Sequence, residues 1–248
     1  PHNADFNGAT QEGVGLYQVT QRAGERFSAA KAYLTPNLDR PNLQVMTGVT
    51  AERIVLEGGV ATAVQLVQAG QRRCLTARRE IIVSAGAFQS PALLMRSGMG
   101  PGAHLQAMGI ALQCDLPGVG ENLHDHPDVV LVAEAASFAL FGISPAGAWR
   151  ILQGMWHWHQ QRRGFLTTNF AEAGGFYKSS PDLAHPNIQL HFVVGKLVNH
   201  GRTPSFGHGY SLHVCLLQPK SRGTVRLAGT DAMTPPLIDP QFLAESED

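Results

Sequence analysis

The chain is poor in cysteine and in charge. Cys74, Cys114 and Cys215 are odd in number and widely spaced along 248 residues. That excludes a disulfide framework and a cysteine zinc site, and it suits a reducing cytoplasm. Lysine plus arginine equals aspartate plus glutamate at 19 each. A zero balance argues against nucleic acid as a partner and against a generic basic membrane patch. No apolar run approaches membrane-spanning length, and no basic-then-apolar leader opens the chain. Several catalytic and nucleotide motifs are missing as well. There is no Gly-x-Ser-x-Gly elbow for a hydrolase nucleophile and no Gly-x4-Gly-Lys phosphate loop. "GVGLYQ" at Gly13 and "GVGENL" at Gly118 each lack the third glycine of a dinucleotide fingerprint, so they read as turn glycines. Eleven histidines invite a metal reading. His157 and His159 point to different faces of a helix, however, and the His124-Asp125-His126 loop has no helical His-x3-His pair to support it. No metal site is expected.

What remains is a globular composition, 44% hydrophobic and 15% charged, long enough to bury a core. The first residue is proline, which suggests a piece of a longer chain. Pro1 to Arg40 is rich in Gly, Gln, Asn and Thr, with one helix expected at "AAKAYL", capped by Ser28 and stopped at Pro36. From Leu43 to Ser84 come short β-type runs: "LQVMT", "ERIVLE", "VATAVQLV", "RRCLTA" and "EIIVSA". They suggest a meander turning at Gly58-Gly59 and at Ala69 to Gln71. Ser90-Pro91 supplies an N-cap and first-turn proline for a helix that Gly98 stops, and "PGAHLQAMG" repeats the arrangement to Gly109. The loop "DLPGVGENLHDHPD" is the candidate domain boundary. Ala148 to Arg163 is amphipathic, with Trp149, Leu152, Trp156 and His159 three and four apart. Strand patterns resume at "NFAEAGGFY", "NIQLHFVV", "YSLHVCLLQP" and "GTVRLAG". The fold class expected is α+β, with the first domain over 1–128 and the second, an antiparallel sheet flanked by helices, over 129–248.

One stretch carries more than architecture. In "EIIVSAGAFQSPALLMRSGMGP" an apolar run ends in small residues, which lets a ligand approach the backbone. "GAFQSPALLMRSGMG" resembles, position for position, the second signature of the glucose-methanol-choline (GMC) family of flavin oxidoreductases. The matching residues are Gly86-Ala87, Ser90-Pro91, Leu93-Leu94 and Ser97-Gly98-Met99-Gly100. "DFNGATQEGVGLYQVTQRAGERFSAAKAYLTP", "RPNLQVMTGVTAERIVLEG" and "DLPGVGENLHDHPD" are similar to family segments in the same order. The weakest likeness lies between Val129 and Gly164.

The resemblance implies FAD as cofactor, a small-molecule alcohol as substrate, and hydride transfer from its CH–OH carbon to flavin N5. It makes residues 1–128 a partial, Rossmann-like FAD-binding domain and 129–248 a substrate-binding domain. The family's glycine fingerprint and catalytic histidine lie outside this chain, so no catalytic residue is assigned and the isolated chain is expected to be inactive. Ala51, Ser84, Ala85 and Gly86 fall at cofactor-binding positions, Ala51 where relatives often carry a valine. Glu172 matches the residue that faces the trimethylammonium group in choline-oxidising members. Those members have a histidine two residues earlier, where this chain has Phe170, and an apolar residue there favours an aliphatic primary alcohol over choline. The alternative is a non-catalytic domain that binds a ligand or partner.

Overall fold

The computed structural model describes all 248 residues, the side chain of His200 excepted. Along the chain the main elements are β1 (Gly13–Leu16), β2 (Val49–Glu57), β3 (Val60–Gln68), β4 (Gln71–Thr76), α1 (Gly86–Arg96), α2 (Gly102–Ala107), β5 (Asp128–Glu134), α3 (Pro145–Gln161), β6 (Ala171–Tyr177), β7 (Ile188–Val193), β8 (Gly207–Leu216), β9 (Thr224–Arg226) and β10 (Leu237–Asp239). They form two compact units, each built from two stretches of chain. The first comprises Pro1–Leu43 and His126–Gln218, the second Gln44–Asp125 and Pro219–Asp248.

The first unit is an antiparallel sheet in the order β1, β6, β7, β8, with β5 and the two-residue strand Gly142–Ile143 both on the far side of β8. Its sequences alternate because one face is buried. Phe6, Tyr17 and Phe176 meet there with ring centroids 5.0 to 6.4 Å apart. Gly174 makes room for that cluster: a Cβ at this position would run into the Tyr17 hydroxyl and the Leu190 carbonyl.

The second unit holds the meander β2–β3–β4. Its turns are Gly58-Gly59, with φ of 59° and 82°, and Ala69-Gly70, with φ of 49° and 77°. Two consecutive left-handed residues are what a tight hairpin between twisted strands requires. The helices pack Ala92, Met95 and Leu105 with Leu227 into a buried core, flanked by Met108, Ile110 and Val119.

Several expectations are corrected. The boundaries 1–128 and 129–248 do not coincide with the compact units, because β1 pairs with β6 and residues after 218 return to the second unit. One crossing, between Asp125 and His126, does fall in the Gly/Asp-rich loop. "LQVMT" forms no strand. Neither does Glu80–Ala85: among the described residues no strand pairs with it, and Ile82 is 78% exposed. α1 starts at Gly86, not Ser90. The Ser90 hydroxyl still accepts from a helix-start amide, the N–H of Ala85, at 2.9 Å, and Pro91 sits inside the helix, where it cannot donate to the Ala87 carbonyl. The "AAKAYL" helix is a π-type turn, Ala30–Leu34, followed by a 3₁₀ turn through Pro36. α3 begins at Pro145 rather than Ala148. Its cap is Ser144, whose hydroxyl accepts from the Gly147 N–H at 2.9 Å.

Candidate functional site

In the second unit, the junction from Ser84 into α1 lies against β2, and a cavity of about 360 Å³ opens between them. Val49, Thr50 and Ala51 form one wall, Ala85, Gln89 and Leu93 another, and Met233 a third. Two of the four cofactor-binding candidates, Ala51 and Ala85, therefore line the same space. Ser84 and Gly86 flank Ala85 without lining it. Gly86 has a φ of 84°, and a Cβ there would meet nothing within 4 Å. The chain keeps an open, side-chain-free edge at this point.

The end of α1 fixes the β2 wall. Arg96 donates from Nε to the Glu52 carbonyl at 3.0 Å and from Nη2 to the Ala51 carbonyl at 3.4 Å. Burial pushes the Arg96 guanidinium down from its ordinary value, opposed by Asp231 and Glu52. Ser97, buried, accepts the Ile54 N–H at 2.8 Å and donates to the Leu93 carbonyl at 2.6 Å. Gly98, at φ 84°, then turns the chain out of the helix. Arg96 and Ser97 pin the strand where its register shifts between Ala51 and Arg53. Sequence reading singled out Ser97 and Gly98 as signature positions, but it missed Arg96. The signal was a lone arginine in an otherwise apolar helix end. Small backbone-lined walls with Leu93 and Met233 suit a flat, apolar-faced ring such as a purine. A larger cavity, about 420 Å³, is lined by charged side chains including Arg72 and Glu52, which already pair at 2.7 Å, so it is a poorer fit.

In the first unit a cavity of about 590 Å³ is lined by Val19 to Gln21, Gly24, Arg26 and Leu166 to Phe170. Phe170 adopts φ 66°, a conformation that costs a side-chain-bearing residue on the order of 1 kcal/mol. It is held there by its N–H donating to Thr168 Oγ1 at 2.9 Å and its carbonyl accepting the Val194 N–H at 3.0 Å, while Asn169 Nδ2 donates across it to the Ala171 carbonyl at 2.9 Å. Its ring lies 4.6 Å from that of Phe141. Glu172, by contrast, is exposed beside the irregularity in β6 and does not line this cavity. Its carbonyl accepts the Tyr17 N–H at 2.9 Å, and among the described residues its carboxylate has no ion-pair partner. Gln21 and Arg26 were not singled out from the sequence. They sit in a polar segment with no apolar period to draw attention to them.

A separate polar cluster crosses the buried face of the sheet. His213 Nδ1 lies 2.6 Å from Asp128, and the Cys215 thiol donates to the same carboxylate at 3.4 Å. Burial first, then Asp128, pushes that thiol up to about 11. Burial likewise lowers His191 from its ordinary value, with His213 adding to the effect.

A slot lined by small and apolar residues at the start of α1, in a chain whose other unit is built on an antiparallel sheet, describes a class: a two-unit α+β protein with room for a nucleotide-like ring. The sequence profile of GMC oxidoreductases matches residues 1–128, more than half of the chain, and the chain belongs to that family. It is 46% identical to an alcohol dehydrogenase [acceptor] of Pseudomonas putida over 99% of its own length and 45% of that protein. An oxygen-dependent choline dehydrogenase of Rhizobium johnstonii is 40% identical, over 98% of this chain and 44% of the relative. The crystal structure of pyridoxine 4-oxidase from Mesorbium loti superposes with a TM-score of 0.79 at 29% identity, covering 100% of this chain and 45% of that one. The chain thus spans a little under half the length of these relatives.

Proposed function

We propose that the chain is part of an FAD-dependent oxidoreductase that oxidises the CH–OH group of an alcohol. The observation carrying this reading is that Ala51 and Ala85, named from the family resemblance, line one cavity with room for a purine. The residues present fit the adenine end of FAD: Val49 to Ala51, Ala85, Leu93 and Met233 line the cavity and would hold it. When bound, the flavin supplies the redox chemistry by accepting hydride at N5. The chain's own residues do the holding. Arg96 and Ser97 fix the backbone of β2, and the Ser90 hydroxyl fixes Ala85.

The substrate proposed is an aliphatic primary alcohol rather than choline. Phe170 and Leu166 give the cavity of the first unit an apolar side, and the alcohol dehydrogenase above is more identical than the choline dehydrogenase. The lining holds no carboxylate to meet a cationic head group, and Glu172 lies outside it. The three unpaired cysteines support a cytoplasmic setting, and no helix is long and apolar enough to cross a membrane.

The chain alone, mixed with FAD, a dye acceptor and an alcohol, is expected to bind flavin weakly and to reduce no dye. Competition by AMP or adenosine for whatever flavin is retained supports the assignment of the cavity. Flavin retention that is unchanged by a bulky substitution of Ala51 overturns it.

A further inference from the structure

α3 turns Trp149, Leu152 and Trp156 outward and seats on its buried residues, Gly147 and Gly154. Arg150, the one arginine or lysine in the helix, goes inward. Its guanidinium lies over the Phe165 ring, 4.3 Å from the centre. Its Nη1 is buried without a hydrogen-bond partner among the described residues, and none of their carboxylates pairs with it. A buried cationic group with neither kind of partner needs a physical reason. The ring face supplies it, because a guanidinium is planar, weakly hydrated and attracted to the negative face of an aromatic ring.

The ring under Arg150 begins a row. Phe165 stacks on Phe141 with centroids 3.8 Å apart and planes within 17°, and Phe141 lies 4.6 Å from Phe170. One face of Phe165 has no room for both neighbours at these distances, so Arg150 and Phe141 take opposite faces. Two nearly parallel rings this close bring their negative faces together, which is the less favourable arrangement of an aromatic pair. A cation on the outer face of Phe165 opposes that repulsion by drawing its electron density away from Phe141. Backbone ties the far end of the row: Val194 accepts the Phe141 N–H at 2.7 Å and donates to the Phe170 carbonyl at 3.0 Å. Phe170 then lines the cavity of the first unit together with Leu166 and Thr167, the two residues that follow Phe165. All of these residues belong to the first unit.

We propose that Arg150 is a positioning residue for the substrate: acting through Phe165 and Phe141, it holds the Phe170 ring as a fixed wall of the cavity without touching the alcohol. This rests on the reading of that cavity as the alcohol site. The row explains why Phe170 keeps a left-handed backbone at a cost, since its ring has a stack to complete.

The test is NMR of the chain with isotope-labelled phenylalanine, the Phe170 signals assigned from a Phe170→Leu variant and n-hexanol as the probe. In the parent chain the Phe170 ring should carry the ring-current shift of Phe141, and hexanol should move its signals. Arg150→Met should return the ring toward its free-chain shift and weaken hexanol binding about fivefold. Phe165→Leu should do the same, and the two substitutions together should lose less than the product of their separate effects, because they break one row. Arg150→Lys keeps the stem and the charge but not the planar stack; it should show the same direction of change, and it replaces the methionine variant if that variant does not fold. Phe170 signals and hexanol binding unchanged by loss of the guanidinium overturn the proposal, as does full independence of the two substitutions, which a general loosening of α3 would give. Hexanol that leaves the Phe170 signals of the parent chain unmoved overturns the reading of the cavity, and this proposal with it.

Discussion

Replacing Ser97 by alanine removes one oxygen with two jobs. It takes away the acceptor for the buried Ile54 N–H, at 2.8 Å, and a donor to the Leu93 carbonyl, at 2.6 Å. The carbonyl is the lesser loss, because the Ser97 N–H still reaches it at 3.1 Å. The Ile54 amide has no such second partner, since it points at Ser97 and away from β3 at an irregular stretch of the ladder. An orphaned buried donor costs roughly 1–3 kcal/mol. All three tryptophans, 149, 156 and 158, lie in the first unit, so their fluorescence does not report on the second. The suitable assay is hydrogen exchange at the Ile54 amide. Its protection should fall by about 5- to 160-fold, the same energy range expressed as an opening constant. Amides of the first unit should be unaffected. Protection at Ile54 within a factor of two of the parent chain refutes the claim that Ser97 pins β2.

Two further outcomes follow from other parts of the structure. Gly174→Ala should destabilise the first unit by roughly 1–3 kcal/mol, since the added methyl displaces Tyr17 from the aromatic cluster; tryptophan fluorescence in a urea titration reads this directly. The second unit should lose stability in mild acid through His104. Its Nε2 accepts the N–H of buried Leu227 at 3.1 Å, and burial, then Arg226, lowers its pKa below the ordinary 6.5. A histidine depressed in the folded state binds its proton more readily when unfolded. Stability is therefore full above pH 6.5 and declines as pH falls through that value toward the folded pKa. Exchange of the Leu227 amide followed from pH 7.5 to 5 checks this, and a flat profile counts against it.

Elements whose partners are close in sequence were legible in the sequence. The hairpins of the second unit followed from Gly58-Gly59 and Ala69-Gly70, because two left-handed positions in a row leave few alternatives. The strands β6, β7 and β8 followed from alternation on a half-buried sheet. What failed depended on distant chain. Glu80–Ala85 has a strand composition, yet a strand exists only when another pairs with it, and no described residue does. The two-stretch make-up of each compact unit was not legible for the same reason, since the pairing of β1 with β6 joins residues more than 150 positions apart. At the site, Ala51 and Ala85 could be named from motif resemblance alone. Arg96 could not, because its role is to satisfy carbonyls on a strand more than 40 residues earlier.

α3 separates two things that a periodic pattern is often taken to give together. Spacings of three and four correctly placed Trp149, Leu152, Trp156 and His159 on one face. Nothing in the period says which way that face points. The deciding residues are the glycines opposite: a Cβ at Gly154 would press on Leu166, and one at Gly147 on the Gly142 carbonyl. A helix seats closely where it has no side chains, so these two glycines mark its inner side and turn the aromatic stripe outward. Gly147 and Gly154 are seven apart, two turns of the same helix, and that spacing was visible in the sequence. Substituting Gly154 with a larger residue should therefore lift α3 from the 3₁₀ turn at Phe165–Thr167, and with it loosen the wall beside Phe170, whereas changes at Trp149 or Trp156 should leave that wall intact.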